Sequence, residues 1–253
     1  MTGVQTCALP IYNRVILGTT DVPVKEFVLE PKALDEEVDF ILETAGRYLE
    51  KKPQRSDVLC VFAGLRPLAA PKDGSDKART KEISRSHKLV VAPSGLVTIT
   101  GGKWTTYRKM AEDTVNAGIK ARKLPFSECR TKDLRIHGYL KNPDRSDRRY
   151  IYGSDLREIE RIQSENPRWA EKLNGESDFT VGEVIWAVQK EMARTVDDVL
   201  ARRVRVLYLD ARKSIALAPR VAEIMAAELD KDKEWIRRQV EEYTEMAKAY
   251  VMA

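Results

Sequence analysis

The pattern of hydrophobic and polar positions divides the chain into a first part of mixed strands and helices and a second part that is almost entirely helical. Short runs rich in β-branched residues predict strands at Arg14–Gly18, Val58–Phe62, His87–Ala92 and Leu96–Thr100, the last two forming a hairpin. Apolar residues at helical spacing predict a helix over Leu34–Glu50 and another that ends near Ala121. This order predicts a mixed α/β domain over residues 13–122.

The remainder of the chain predicts a linker and then an all-α domain. Residues 123–152 contain Pro125, Gly138 and Pro143 and show little periodicity. Residues 153–253 predict five helices, at Asp155–Glu165, Val181–Ala193, Val196–Leu209, Ser214–Leu229 and Lys233–Val251. Residues 1–12 have no helical or strand period and are interpreted as a non-native leader. Because the following segment opens inside a strand, we expect residues 13–253 to be a fragment of a longer protein.

Composition indicates a soluble, cytoplasmic protein. Of the 253 residues, 43% are hydrophobic and 33% are charged, which is typical of globular domains. No apolar run approaches the length of a membrane span, and no secretory signal is present. Because the three cysteines are far apart, neither a structural disulfide nor a metal site is predicted.

The net charge of +5 lies entirely in the first half of the chain. Residues 1–125 hold 20 basic and 15 acidic residues, whereas residues 126–253 hold 24 of each. Between Gly64 and Lys109 there are ten basic residues and three acidic ones. This excess suits a small acidic ligand or nucleic acid. Nucleic-acid binding is the less favoured reading, since Trp104 and Tyr107 are the only aromatic residues in this region.

A Gly-Gly turn joins the last predicted strand to the following helix. Gly101 and Gly102 allow the backbone to approach a ligand closely, and Thr105 or Thr106 is predicted to cap the helix. Free backbone amides and the positive end of the helix dipole then face the turn, beside Lys103. The pattern predicts a site for an anion, or for a group that becomes one during reaction.

Two arginines flank predicted strands in the same basic region. Arg66 follows Gly64 at the end of a strand, and Arg85 precedes the hairpin. Together with Lys103 they could bind a phosphate monoester through two planar guanidinium groups and one ammonium group. The alternative is that each arginine pairs with a carboxylate such as Asp21 or Glu82, and the pattern leaves both readings open.

Other candidate residues are interpreted structurally. Neither His87 nor His137 has a Cys, Ser or Asp partner at a meaningful spacing, so neither is favoured as a base. Trp104 is expected to be part of the core, although it could pack on a ligand. The acidic pair Asp197-Asp198 and the basic pair Arg202-Arg203 are expected to form ion pairs rather than a metal site.

Four blocks of sequence together resemble one enzyme family. They are Ala63–Leu68, Ile83–Arg85, Thr100–Arg108 and Thr195–Arg203, and Gly18–Asp21 also fits. In order and spacing they are similar to FAD-dependent glycerol-3-phosphate dehydrogenase over about Asn13–Val251. The resemblance implies part of an FAD-binding and substrate domain of the glutathione-reductase-like, D-amino-acid-oxidase type, with a mixed sheet, followed by an all-α C-terminal domain.

The resemblance also implies a reaction and residue roles. In the family, sn-glycerol 3-phosphate is oxidised to dihydroxyacetone phosphate by hydride transfer to FAD, and the electrons pass to a quinone or to oxygen. If the residue roles of the family apply to the matching positions of this sequence, Arg66 lies by the reacting carbinol and Arg85 binds the substrate phosphate. Lys103 then lies between substrate and flavin. Residues of the turn then bind the flavin edge: Gly101, Gly102, Lys103, Trp104, Thr105 and Thr106.

The resemblance also bears on the partners of this chain and on its activity in isolation. A quinone acceptor implies contact with the bilayer, so peripheral attachment to the inner face of the plasma membrane is left open, as is a homodimer. The family's GxGxxG fingerprint is absent from this sequence, so we expect the isolated chain to bind FAD weakly or not at all and to be inactive. The alternatives are an FAD-dependent amine or hydroxyacid oxidoreductase and, from another class, a basic nucleic-acid-binding module.

Overall fold

The structure is a computed structural model that describes residues 7–11, 14–66 and 86–252. Arg85 therefore lies outside the described residues. The chain divides into two compact units. The first unit comprises Met1–Thr20, Val28–Gly64 and Gly138–Ala253, and the second comprises Asp21–Phe27 and Leu65–His137.

The first unit contains one small sheet and most of the helices. Strand β1 (Cys7–Ile11) pairs with β2 (Arg14–Gly18) in antiparallel register, so that Cys7 lies opposite Gly18. The helices are α1 (Asp35–Gly46), α3 (Leu156–Glu165), α4 (Val181–Lys190), α5 (Ala211–Leu229) and α6 (Lys233–Lys248). Four of the five helices predicted for residues 153–253 are therefore confirmed, with most ends within a few residues of their predicted positions.

The core of this unit forms around α4 and α5, because both helices are apolar on most of their circumference. Val184 and Ile185 of α4 are buried against Leu217, Val221 and Met225 of α5 within a single cluster. Helix α6 is polar outside and contributes Tyr243, whose hydroxyl lies 2.5 Å from the buried Ser214 Oγ. Burial of large aliphatic side chains, at about 1.5–3 kcal/mol each, stabilises this unit.

The strand predicted at Val58–Phe62 is wrong. This segment has no regular secondary structure, and its backbone bonds to the helical part: Val61 N–H donates to Tyr250 O, and Ala211 N–H donates to Leu59 O. The Phe62 ring packs edge-on against Tyr208, with 5.2 Å between ring centroids. Tertiary partners thus satisfy the backbone groups that a sheet neighbour would otherwise have taken.

The continuous helix predicted over Val196–Leu209 is also wrong. Residues Asp198–Arg203 form a π-helical turn and Val206–Tyr208 a 3₁₀ turn, with Arg205 between them at φ +56°. Leu200 and Leu207 are fully buried, so packing sets the path of this segment rather than helix propensity. The expected ion pairs are confirmed: Arg202 Nη2 lies 2.6 Å from Asp197 Oδ2, and Arg203 pairs with Asp198.

The second unit is built on a hairpin and one helix. Strands β3 (His87–Val91) and β4 (Val97–Gly101) pair antiparallel, with His87 opposite Gly101, and helix α2 (Tyr107–Arg122) follows. The predicted hairpin and helix are confirmed. The predicted mixed sheet is not formed by the described residues, whose strands make two separate antiparallel pairs, since Val58–Phe62 bonds to helices instead.

The predicted domain boundaries, with a linker over residues 123–152 between the α/β and the helical domain, stay a prediction. Within the described structure, Val28–Gly64 groups with Gly138–Ala253, although the two stretches are far apart in sequence. Residues 7–11 form β1 despite lacking a strand period, because the edge of β2 offers them backbone partners. The interpretation of residues 1–12 as a non-native leader likewise stays a prediction.

The two described cysteine side chains are expected to differ sharply in reactivity. Burial, together with the Asp210 carboxylate, raises the pKa of the Cys60 thiol to about 12. Hydrogen bonds from Thr131 lower the pKa of Cys129. Because the thiolate is the nucleophile, iodoacetamide at pH 8 should alkylate Cys129 at least about tenfold faster than Cys60 in a Cys7→Ser background.

Peptide mass spectrometry over a time course measures both rates in one sample. Unfolding in guanidinium is the matched control, since it should bring the two rates close together. Equal rates in the folded chain would contradict the packing of Leu59 and Val61 against the helices.

Candidate functional site

The Gly-Gly turn closes strand β4 in a conformation that glycine favours. Gly101 has φ +72° and Gly102 has φ +85°, both in the left-handed region. A Cβ placed on Gly102 would lie 2.5 Å from Met110 Sδ and 3.3 Å from the Cβ of His87. The backbone at Gly102 is therefore pressed against side chains on one side, and a side chain there would displace Met110.

The chain enters α2 through a 3₁₀ turn at Trp104–Thr106. Thr106, one of the two threonines proposed as the cap, stands at the N-cap position of α2, but its hydroxyl makes no cap bond to the backbone of that helix. Instead, Lys103 N–H donates to Thr106 Oγ1 at 3.3 Å, and that hydroxyl donates to Lys103 O at 3.0 Å. The hydroxyl thus closes the turn on itself, and Lys103 through Thr106 are all exposed.

The electrostatics of the helix start favour negative charge. No acidic residue lies in the first turn of α2, whereas Lys120 and Arg122 lie in its last turn. The positive end of the helix dipole, worth typically about 0.3–1 kcal/mol to a nearby anion, is therefore left uncompensated at Tyr107. This local geometry fits the anion site that the sequence predicted, and the roles of its individual residues stay predictions.

Trp104 is exposed, and its expected place in the core is wrong. Its side chain is 85% exposed and stacks on Tyr107, with ring centroids 5.4 Å apart and planes at 26°. The reason is local: the 3₁₀ turn that holds Trp104 has no buried residue, and Tyr107 beside it is also exposed. An exposed flat pair beside free amides can bind a planar ring, which agrees with the ligand reading of Trp104.

Arg66 pairs with a carboxylate, which is the second of the two readings that the sequence left open. Its Nε lies 3.5 Å from Asp21 Oδ2, and the Arg66 side chain is about half exposed at 42%. A pair of this kind, exposed and longer than an ideal hydrogen bond, contributes little to stability and leaves the guanidinium accessible. The placement of Arg66 and Lys103 around one substrate phosphate stays a prediction, and the role of Arg85 falls outside the described residues.

His87 has the aspartate partner that sequence spacing did not reveal. Its Nε2 lies 3.0 Å from Asp113 Oδ2, and Lys109 Nζ lies 2.7 Å from Asp113 Oδ1. Hydrogen bonds from Lys109 and then His87 lower the pKa of Asp113, which stays ionised. Because 26 residues separate His87 from Asp113, this contact between a side chain of β3 and one of α2 could be found only from the three-dimensional structure.

Neither a metal-binding cluster nor a membrane-spanning helix occurs in the described part of the chain. Residues 7–11, 14–66 and 86–252 contain no group of three or more His, Cys, Asp or Glu side chains placed to hold a metal ion. In the same residues, no helix combines the length and apolar character that a bilayer crossing requires.

Known proteins similar to this chain include glycerol-3-phosphate dehydrogenases, and part of the chain matches a domain of alpha-glycerophosphate oxidase. Residues 148–236 match the model of the C-terminal domain of alpha-glycerophosphate oxidase. Mitochondrial glycerol-3-phosphate dehydrogenases from Mesocricetus auratus and Homo sapiens are 36% and 34% identical to the chain, over 92% and 88% of its length. The solved glycerol-3-phosphate dehydrogenase from Bacillus halodurans, complexed with FAD, is 26% identical and superposes with a TM-score of 0.75.

The comparisons confirm the resemblance that the four sequence blocks carried. The chain spans about a third of the length of the curated relatives, 34% and 33% for the two mammalian proteins. It covers 51% of the Bacillus halodurans chain, while 96% of its own length is included in that superposition.

Proposed function

We propose that this chain is the C-terminal portion of an FAD-dependent glycerol-3-phosphate dehydrogenase. The observation that carries the proposal is the superposition of 96% of the chain, at a TM-score of 0.75, on an FAD-complexed enzyme of that name. The relatives' greater length supports the expectation that further sequence completes the site. The finer fold assignment, a domain of the D-amino-acid-oxidase type, is part of the same proposal.

The Gly-Gly turn fits one edge of a flavin. Gly101 and Gly102 present backbone without side chains, Lys103 is exposed beside them, and the start of α2 adds a partial positive charge. When bound, FAD would accept a hydride from the substrate carbinol and gain negative charge on its ring. Preorganised amides at such a position stabilise developing charge, because no solvent reorganisation is needed at the moment of reaction.

The basic side chains account for substrate binding in this proposal. Arg66, held by Asp21 yet accessible, would lie by the carbinol and favour removal of its proton. Arg85 and Lys103 would bind the phosphate of sn-glycerol 3-phosphate, since a charge-assisted fork and a point charge suit a phosphate monoester. A substrate without phosphate would need fewer cations, which argues against an amine or hydroxyacid substrate.

The electron acceptor and the location belong to the proposal as well. A quinone acceptor requires contact with a bilayer, and we propose a cytoplasmic enzyme bound peripherally to the inner face of the plasma membrane. The basic excess between Gly64 and Lys109 supports contact with anionic lipid. A homodimer is a further, separate proposal.

The decisive experiment uses a completed enzyme, in which an N-terminal portion of the Bacillus halodurans relative precedes Asn13. Anaerobic addition of glycerol 3-phosphate should bleach the long-wavelength flavin band, whereas glycerol should not. Arg66→Ala should slow the bleaching at least about tenfold, since a charge-assisted contact to the reacting centre is worth roughly 1.5–3 kcal/mol. Stopped-flow absorbance gives the rate.

Arg130→Ala is the matched control, because Arg130 is an exposed arginine of the same unit. Its bleaching rate should equal that of the unsubstituted enzyme. A flavin-loaded enzyme that stays yellow with glycerol 3-phosphate would overturn the substrate assignment. Equal rates for Arg66→Ala and Arg130→Ala would overturn the role of Arg66 alone.

A further inference from the structure

The side chains of His87 and Met110 lie against the Gly102 backbone. His87 is the ladder partner of Gly101, and its Cβ would lie 3.3 Å from a Cβ on Gly102. Met110 Sδ would lie 2.5 Å from the same point. Asp113 is one helical turn beyond Met110 on α2 and therefore lies on the same face of that helix.

The hydrogen bond between His87 and Asp113 connects the two elements that meet at the turn. His87 begins β3, whose ladder carries Gly101 at the end of β4, and Asp113 lies in α2. The distance of 3.0 Å between Nε2 and Oδ2 is that of a good hydrogen bond. The side chains are 24% and 31% exposed, so solvent only partly competes with the bond.

The carboxylate of Asp113 is itself held in place. Lys109 Nζ donates to Oδ1 at 2.7 Å, which leaves Oδ2 directed to the imidazole. Lys109 also lies 3.6 Å from Glu112, whose other oxygen bonds to Arg108. Three charged groups on the first turns of α2, Arg108, Lys109 and Glu112, thus surround the carboxylate that His87 bonds to.

We propose that His87 is a positioning residue for the Gly101–Gly102 turn. Through Asp113 it holds the end of β4 at a set distance from the first turns of α2, and so orients the amide of Gly102. Met110 packs against the Gly102 backbone, but no residue of α2 is fully buried, so the hydrogen bond adds a directional restraint to a partly exposed contact. The identity of the ligand facing the turn rests on the proposed function, whereas the coupling between His87, Asp113 and Gly102 does not.

The test is made on the 253-residue chain by NMR and needs no cofactor. Gly102 is the only one of the 13 glycines that follows another glycine. Glycine labelled with ¹³C at the carbonyl and ¹⁵N at the amide therefore identifies its amide signal without further assignment. Asp113→Ala is informative because residue 113 is eleven positions from Gly102 and is not in the ladder.

We expect Asp113→Ala and His87→Leu to move the Gly102 amide signal in the same direction, and the double variant to move it no further. His87→Gln should restore the original position, since its amide nitrogen reaches as far as Nε2 and can donate to Asp113. Asp133→Ala, which changes an exposed aspartate of the same unit, is the matched control and should leave the signal in place.

Two results would overturn the proposal. One is a Gly102 signal that moves no more in Asp113→Ala than in Asp133→Ala. The other is a His87→Gln shift as large as that of His87→Leu, which would indicate a packing role. Because Asp113→Ala removes only the outer atoms of a partly exposed side chain, it keeps the test decisive even if His87→Leu does not fold. Failure of flavin bleaching in the completed enzyme would leave these NMR results unaffected.

Discussion

Gly102→Ala should weaken FAD binding by the completed enzyme about 100-fold. An L-residue in the left-handed conformation costs roughly 1–2 kcal/mol, and the added methyl group would also lie 2.5 Å from Met110 Sδ. A total near 3 kcal/mol corresponds to about two powers of ten in a dissociation constant. Titration of apoenzyme with FAD, followed by quenching of flavin fluorescence, measures the change.

Gly118→Ala, in helix α2 of the same unit, is the matched control. A Cβ there would meet nothing within 4 Å, and alanine is favoured over glycine in a helix interior by about 0.8–1.0 kcal/mol. Affinity for FAD should be unchanged and the helix slightly more stable. Adding Met110→Ala to Gly102→Ala should recover the part of the loss that comes from the steric contact. If Gly102→Ala binds FAD as tightly as Gly118→Ala, the turn does not face the flavin.

Glu183→Ala should destabilise the helical unit by about 3–5 kcal/mol, the range for removing one partner of a buried ion pair. The residue is 1% exposed. Its carboxylate accepts from Arg148 Nη1 at 2.8 Å, from the Tyr152 hydroxyl at 3.0 Å and from Thr180 N–H at 2.9 Å. Loss of this carboxylate removes the counter-charge that Glu183 supplies to the Arg148 guanidinium. It also removes the acceptor of the Tyr152 hydroxyl, whose pKa is raised chiefly by burial.

Urea unfolding followed by circular dichroism at about 222 nm measures this loss, since the unit holds most of the helices. Glu158→Ala is the control: its exposed pair with Arg161 lies on α3 and should contribute less than about 1 kcal/mol. The double variant with Arg148→Ala should be less destabilised than the sum of the single changes, because it leaves no unpaired charge. A Glu183→Ala effect as small as that of Glu158→Ala would contradict the buried network.

Local patterns found much of the candidate site. The β-branched run before Gly101, the two glycines and the helical spacing from Tyr107 to Val115 are short-range features, and the structure has the predicted strand, turn and helix there. The ion pairs between Asp197-Asp198 and Arg202-Arg203 were also within reach of sequence, because their separation along the chain is small. Such features depend on neighbours that covalent geometry brings together.

Side-chain partners distant in sequence were not predictable. His87 and Asp113 meet only because the hairpin returns β4 beside β3 and the turn then folds α2 back over them. The sequence predicts a core position for Trp104, yet its side chain in the 3₁₀ turn is 85% exposed. Apolar character alone does not decide burial when the side chain's direction depends on one or two backbone angles.

The sequence by itself determined the type of most elements, the excess of positive charge in the first half and the four blocks that resemble a flavin-dependent dehydrogenase. The tertiary structure decided which backbone groups Val58–Phe62 would use, how the chain turns after Asp197, and which aspartate His87 would bind. Periodicity and turn chemistry act over a few residues, whereas these outcomes required hydrogen-bond and packing partners that lie far away along the chain.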